Sequence, residues 1–243
     1  MALAGLIVVV VALLLAAAAL VMPAIYELID GRGLPQPGAE RIHYDSTVEG
    51  LSAAVAGVLT LSYIAGLWFS LKTHRDLFNP AHAEEDHETE PWTVRKSVLA
   101  LAIAGVAVGV MSEILVGAIS DAAEQLGLSE FFIGVIVVAI VGNAAEHWVA
   151  VLVAMKDKMD LAVNIAIGSS AQIALFVAPV LVLVSFVLGP HPMALVFTGF
   201  ELGGILLAIM IANNVTNEGE STWYEGFQLL AVYLVLGIAF LVA

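Results

Sequence analysis

Three glutamates, Glu113, Glu146 and Glu201, stand inside long apolar stretches. There an ionised side chain costs about 2.5 to 3.5 kcal/mol on insertion scales, so each marks a functional position. Glu146 lies in AIVGNAAEHWVA, where Asn143, Glu146 and His147 fall at i, i+3 and i+4 and share one helix face. A carboxylate and a carboxamide aimed at one place are ligands for a hard cation. Gly142 removes a side chain where a neighbouring helix can approach, or where the helix can break and expose backbone carbonyls as further oxygen ligands. Ala144 and Ala145 extend that close-packing surface. A second polar cluster, NIAIGSSAQIALFVAP, places Ser169 and Gln172 at i and i+3 with Ser170 beside them, and Pro179 invites a kink. Hydroxyl, amide and carbonyl oxygens around a carboxylate suit Ca²⁺ or Mn²⁺ and not a soft metal. The same groups also suit plain interhelical hydrogen bonding. His147 reads as a packing residue, or as a proton relay that orients Glu146, before it reads as a ligand. Glu113, in VGVMSEILVGAIS, and Glu201, in FTGFELGGILLA, read as proton carriers for the site or as partners of polar groups elsewhere.

The elements that must position these groups are membrane helices. Of 243 residues, 61% are hydrophobic and 12% charged, and mean hydropathy is +1.00, which excludes a domain with a polar shell. Apolar runs long enough to cross a bilayer core, about 20 residues each, occur at 3–26, 48–71, 96–119, 131–155, 161–188, 192–213 and 223–243. None alternates with the period of a barrel strand, and the backbone must bond to itself in lipid, so all seven are expected to be helices. The first run has no basic flank and is too long for a signal peptide, so it reads as a spanning helix. A net charge of −14 argues against a nucleic-acid surface or a polybasic lipid anchor and points to cations as partners, beside the membrane lipid itself. The absence of cysteine excludes disulfides, a thiol nucleophile and thiolate metal sites.

Lys72, Arg75, Arg95, Lys96, Lys156 and Lys158 fall on one side of this arrangement, and Arg32 and Arg41 on the other. The positive-inside rule then puts the N-terminus and the 72–95 linker in the cytoplasm and the C-terminus outside. That linker carries Glu84, Glu85, Asp86 and Glu88. It reads as a solvated connector or as a weak sampler of divalent cations, since no EF-hand spacing is present. The other polar loop, ELIDGRGLPQPGAERIHYDST, ends in an expected helix cap at Ser46 or Thr47 and is assigned no role.

GNAAEH (142–147), GSSAQIALFVAP (168–179) and NEGESTWYEG together resemble the calcium/proton antiporter branch of the calcium/cation antiporter superfamily. LKTH (71–74), SEILV (112–116) and FEL (200–202) extend the similarity over most of the chain in order. The resemblance implies two inverted repeats of five helices joined by an acidic linker, with two GN-x-x-E motifs meeting near the midplane. Gly142, Asn143 and Glu146 match the second motif, and Ser169, Ser170 and Gln172 match the helix that packs beside it. On that comparison residues 1–71 resemble the end of the first repeat, 72–95 the linker, and 96–243 the complete second repeat. Only one GN-x-x-E is present. The chain is therefore expected to be truncated or half-size, lacking about four N-terminal helices.

Calcium usually takes 6 to 8 oxygens, and one carboxylate cannot neutralise a buried divalent ion. Glu146, Asn143, Ser169 and Gln172 fill half a shell. The rest is expected from Glu113, from a second copy of the chain, or from a separate N-terminal repeat. The function implied is exchange of Ca²⁺ for H⁺ by alternating access, with no cofactor, in a membrane expected to be the prokaryotic cytoplasmic membrane. The alternatives are a sodium- or other cation-coupled calcium exchanger and a non-transporting subunit that senses cations through the acidic linker. An intramembrane metalloenzyme is disfavoured, because no HExxH accompanies Glu146 and His147.

Overall fold

The computed structural model describes residues 2–37, 44–74, 92–218 and 222–242. Glu84, Glu85, Asp86 and Glu88 lie outside the described residues. Among the described residues the regular structure is all helical: α1 (Ala2–Ile29), α2 (Ser46–Thr73), α3 (Val94–Leu126), α4 (Glu130–Gly142), α5 (Ala144–Ala154), α6 (Met159–Leu188), α7 (Gly199–Glu218) and α8 (Trp223–Val242). Six of these are long and apolar enough to cross a membrane alone. α4 and α5, bent by 49° at Asn143, are together long and apolar enough for a seventh crossing if the pair is one broken span. The chain is an integral membrane protein.

α1 and α2 form the centre. α1 packs against α2, α6 and α7, while α2 also lies along α6. Their contact buries Ala16 and Leu20 from α1, Ala56 and Leu59 from α2, Ala171, Leu175 and Val182 from α6, and Leu195 from the segment that precedes α7. Small residues let the backbones approach, which is how helices associate where lipid supplies no hydrophobic driving force. Tyr63 stacks on Phe176 at 4.9 Å between ring centroids, fastening α2 to α6. At the other flank the Phe240 ring of α8 packs 5.5 Å from Phe131 of α4 and lies 3.6 Å from the position a Cβ on Gly204 would take. α3 has none of its spanning window buried. Its apolar side chains, among them Leu101, Val106 and Met111, are open on every face.

Two departures from the sequence expectation bear on the site. The run 192–213 is not one helix. Residues 192–198 are not helical and α7 starts at Gly199. Pro190 and Pro192 cannot continue a helix, and Thr198 and Glu201 close a reciprocal capping box: Thr198 N donates to Glu201 Oε2 at 2.7 Å and Glu201 N donates to Thr198 Oγ1 at 3.2 Å. Non-helical backbone buried in a membrane protein needs partners for its N–H groups. Ser52 of α2, fully buried, accepts from Leu195 N at 3.0 Å, and Ser185 of α6 accepts from Met193 N at 2.8 Å. Pro179, the other expected perturbation, does not interrupt α6. A π-helical turn at Ile173–Val177 widens the helix ahead of it, and the span stays continuous.

The cap of α2 is Asp45, one residue before the expected Ser46, and its carboxylate accepts from Thr47 N at 3.1 Å. Arg32 bridges Asp45 and Asp30 at 2.8 Å each, closing the loop between α1 and α2. The Arg32 guanidinium, followed by the Thr47 amide, holds the Asp45 carboxyl down at about 2. The same hydrogen bond pushes Arg32 up.

Two tests follow from this packing. Ser52→Ala orphans the Leu195 N–H and is expected to destabilise the protein by about 1 to 3 kcal/mol in detergent unfolding, while Ser52→Thr keeps the acceptor. Equal stability of wild type and Ser52→Ala would show that the hydroxyl does not hold the non-helical segment. A depressed carboxyl supports folding above its ordinary pKa and loses that support as pH falls through the lowered value. Carboxyl ¹³C titration of Asp45 should therefore inflect near 2 and rise toward 3.8 in Arg32→Gln. An ordinary inflection in the wild type would contradict the Arg32 clamp.

Candidate ion-binding site

The GNAAEH motif makes its own geometry. Asn143 ends α4 and starts α5 with φ −101° and ψ 14°, outside the helical basin. Its side-chain Nδ2 donates to Ala139 O at 2.8 Å, and its carbonyl accepts from His147 N at 3.0 Å. The carboxamide thus fastens the last turn of α4, and the carbonyl opens the first turn of α5. Gly142 leaves open space where a Cβ would project. Immediately upstream, a π-helical turn at Ile133–Val138 already loosens the ladder, a feature frequent at functional sites.

Glu146 sits in the first turn of α5, where the positive end of the half-helix favours negative charge. Its Oε2 is buried and has no hydrogen-bond partner. A buried carboxylate oxygen without a donor is an energetic liability unless another group completes it. His147, beside it, is exposed.

α5 and α6 form a tight hairpin. Asp157, at φ 61°, supplies the left-handed residue in its turn. At 1.5 Å per residue, Glu146 stands about 12 Å from the last residue of α5 and Ser169 about 15 Å from the first residue of α6, so the two clusters are level. Ser169 and Ser170 both donate to Ala166 O at 3.1 Å, which leaves their oxygen lone pairs free to accept or to ligate. Gln172 is exposed.

The other two intramembrane glutamates are placed differently. Glu201 is in the third position of α7, bound into the capping box described above, because its helix starts later than its apolar run suggested. Glu113 lies exposed on α3, about 28 Å along a helix about 50 Å long. Among the described residues no three His, Asp or Glu side chains converge on one point.

One buried acid escaped sequence reasoning. α1 runs on to Ile29, which carries Glu27 into the interior at 1% exposure. Its charge adds to the field that raises Arg32. A lone acid beside Pro23, at the edge of an apolar run, was the available signal.

Residues 96–242 match the family model described as sodium/calcium exchanger protein. The chain belongs to the sodium/calcium exchanger family. Within it, the chain is 47% identical over 193 residues to the Ca²⁺/H⁺ antiporter ChaA of Bacillus subtilis, covering 78% of this chain and 54% of that protein. It is 45% identical over 213 residues to a Ca²⁺/H⁺ antiporter of Synechocystis, with coverage of 81% and 56%. The solved structure of native YfkE superposes with a TM-score of 0.75 at 35% identity, over 99% of this chain and 64% of that one. The chain spans about half the length of the curated relatives it matches. The relatives are transporters by name, and the calcium/cation antiporter resemblance carried by GNAAEH and GSSAQ agrees with the match.

Glu201→Gln is expected to preserve α7, because an amide oxygen still accepts from Thr198 N, whereas Thr198→Ala should cost about 0.5 to 2 kcal/mol. Equal losses of thermal stability in the two variants would argue against the reciprocal cap.

Proposed function

We propose that this chain carries one half of the ion pathway of a Ca²⁺/H⁺ antiporter. Glu146 is the carboxylate for which calcium and proton compete. The observation that carries the reading is the buried, partnerless Oε2 of Glu146 at the Asn143 break, in a chain whose similar proteins are named Ca²⁺/H⁺ antiporters.

Away from water, a carboxylate is neutralised either by a proton or by a cation held against it. Occupation by one excludes the other, which is the coupling an antiporter needs. Asn143, Ser169, Ser170 and Gln172 supply neutral oxygens, and the broken helix at Gly142 supplies carbonyls, a donor set that fits calcium. A second carboxylate is required to balance the charge. It comes from Glu113, from another copy of the chain, or from an N-terminal repeat. His147, Glu113 and Glu201 are the candidates for passing the proton. Alternating access then exposes Glu146 in turn to each side, the N-terminus and the 72–95 linker facing the cytoplasm. The Bacillus and Synechocystis relatives favour a prokaryotic cytoplasmic membrane.

The family description favours one second reading, exchange of sodium for calcium at the same residues. A non-transporting subunit that senses cations through Glu84, Glu85, Asp86 and Glu88 is a third reading, which requires responses independent of Glu146.

The test is ⁴⁵Ca²⁺ uptake into vesicles under an imposed pH gradient, with and without a sodium gradient. The chain is reconstituted alone and with the N-terminal half of the Bacillus relative. Uptake driven by the pH gradient and abolished by Glu146→Gln is the expected result. Wild-type uptake by that variant would overturn the assignment, and dependence on sodium alone would select the second reading.

A further inference from the structure

We propose that residues 189–198 are a strap that seats Leu195 as the removable plug of an apolar barrier. The barrier lies between the polar cluster on α6 and the membrane side opposite the 72–95 linker. On that side α1 ends, α2 begins, α6 ends and α7 begins. The segment that joins α6 to α7 turns back into the bundle there, for Leu195 is 4% exposed and Thr198, the cap of α7, 7%. Ser52, which accepts from Leu195 N, lies six residues inside α2, about 9 Å from the end of that helix. Non-helical backbone at membrane depth occurs where it is buried in protein or lines a water path.

Below Leu195 runs one continuous buried cluster. It follows α6 from Val182 through Leu175 to Ala171, with Leu59 of α2 and Leu20 of α1 in the same packing. Val182 stands about 9 Å and Ala171 about 26 Å from the outer end of α6. Ala171 lies between Ser170 and Gln172, so the column joins the strap to the candidate ligands. Its side chains are apolar, the character of a constriction that closes by excluding water.

The attachments of the strap are those of a part that can leave its seat. Two hydroxyls hold its amides, Ser52 accepting from Leu195 N at 3.0 Å and Ser185 from Met193 N at 2.8 Å. Water replaces both acceptors once the strap lifts, so undocking strands no amide. The two ends stay fixed. The Thr198 and Glu201 capping box anchors one to α7. At the other, Gly189 N donates to Ser185 O at 3.1 Å, and a Cβ on Gly189 would stand 2.8 Å from that oxygen and 3.1 Å from His191 O. Only glycine turns the chain there without displacing it. When Leu195 leaves its seat, water reaches Ala171 and the ligands gain access to their second side. That use of the opening rests on the reading of Glu146 as the shared ligand, whereas the strap and its plug do not.

The chain has no cysteine, so a single introduced one reports alone. Ala171→Cys, in vesicles of fixed orientation, is treated with a membrane-impermeant cationic methanethiosulfonate from the side opposite the linker and is expected to react slowly. Ser52→Ala combined with Ser185→Ala leaves a closed strap with two unsatisfied amides, and should speed that reaction about tenfold. Gly189→Ala displaces the strap by a different route and should do the same, while Ser52→Thr should not. Val10→Cys, buried on α1 in a separate cluster with Ile167, should react at one rate in every background. An Ala171→Cys rate unmoved by both kinds of strap variant would overturn the proposal. So would an equal rise at Val10→Cys, since that is general loosening and not the lifting of a plug. The readout is accessibility, so it stands or falls independently of whether Glu146→Gln abolishes calcium uptake.

Discussion

Everything in this molecule that bears on ions depends on one constraint: polar atoms removed from water must be completed by something. At the Asn143 break the backbone is completed internally, by the Asn143 carboxamide on Ala139 O and by His147 N on the Asn143 carbonyl. Oε2 of Glu146 is not. The same break leaves a carboxylate oxygen without a donor, in the first turn of a half-helix whose dipole tolerates negative charge. A fold that satisfies its serines and its caps, yet leaves this oxygen open, supports the proposal that a cation or a proton completes it.

The remaining architecture serves to hold that arrangement at one depth. The α5–α6 hairpin brings the serine and glutamine oxygens level with Glu146. α6 is in turn held by α1 and α2 through Ala171, inside the polar cluster, and Leu175 and Val182 beyond it. Leu195 enters the same core on a non-helical segment in which the Leu195 and Met193 amides rest on Ser52 and Ser185. The packing that fixes Gln172 and its neighbours therefore draws on segments from both sides of the acidic linker.

Much of this was legible in the sequence, for reasons particular to each element. The break at Gly142 and Asn143 could be read because glycine followed by a carboxamide and a carboxylate inside an apolar run has few other uses. Glu201 was misplaced at mid-span because residues 192–198 are as apolar as a helix. Their departure from the helix follows from Pro190, Pro192 and the Thr198 cap, which hydropathy does not weigh. Ser52 gave no signal at all, since its partner lies 143 residues away. The cap at Asp45 rather than Ser46 turns on Arg32, another partner that local pattern cannot see.

The claim that Glu146 is the shared ligand of calcium and proton is met most directly by infrared difference spectroscopy of the purified chain, alone and combined with the N-terminal half of the Bacillus relative. The account predicts that adding calcium removes a protonated carboxyl band and produces a carboxylate band, and that both changes vanish in Glu146→Gln. An identical difference spectrum from Glu146→Gln would place the exchange on another residue and contradict the account.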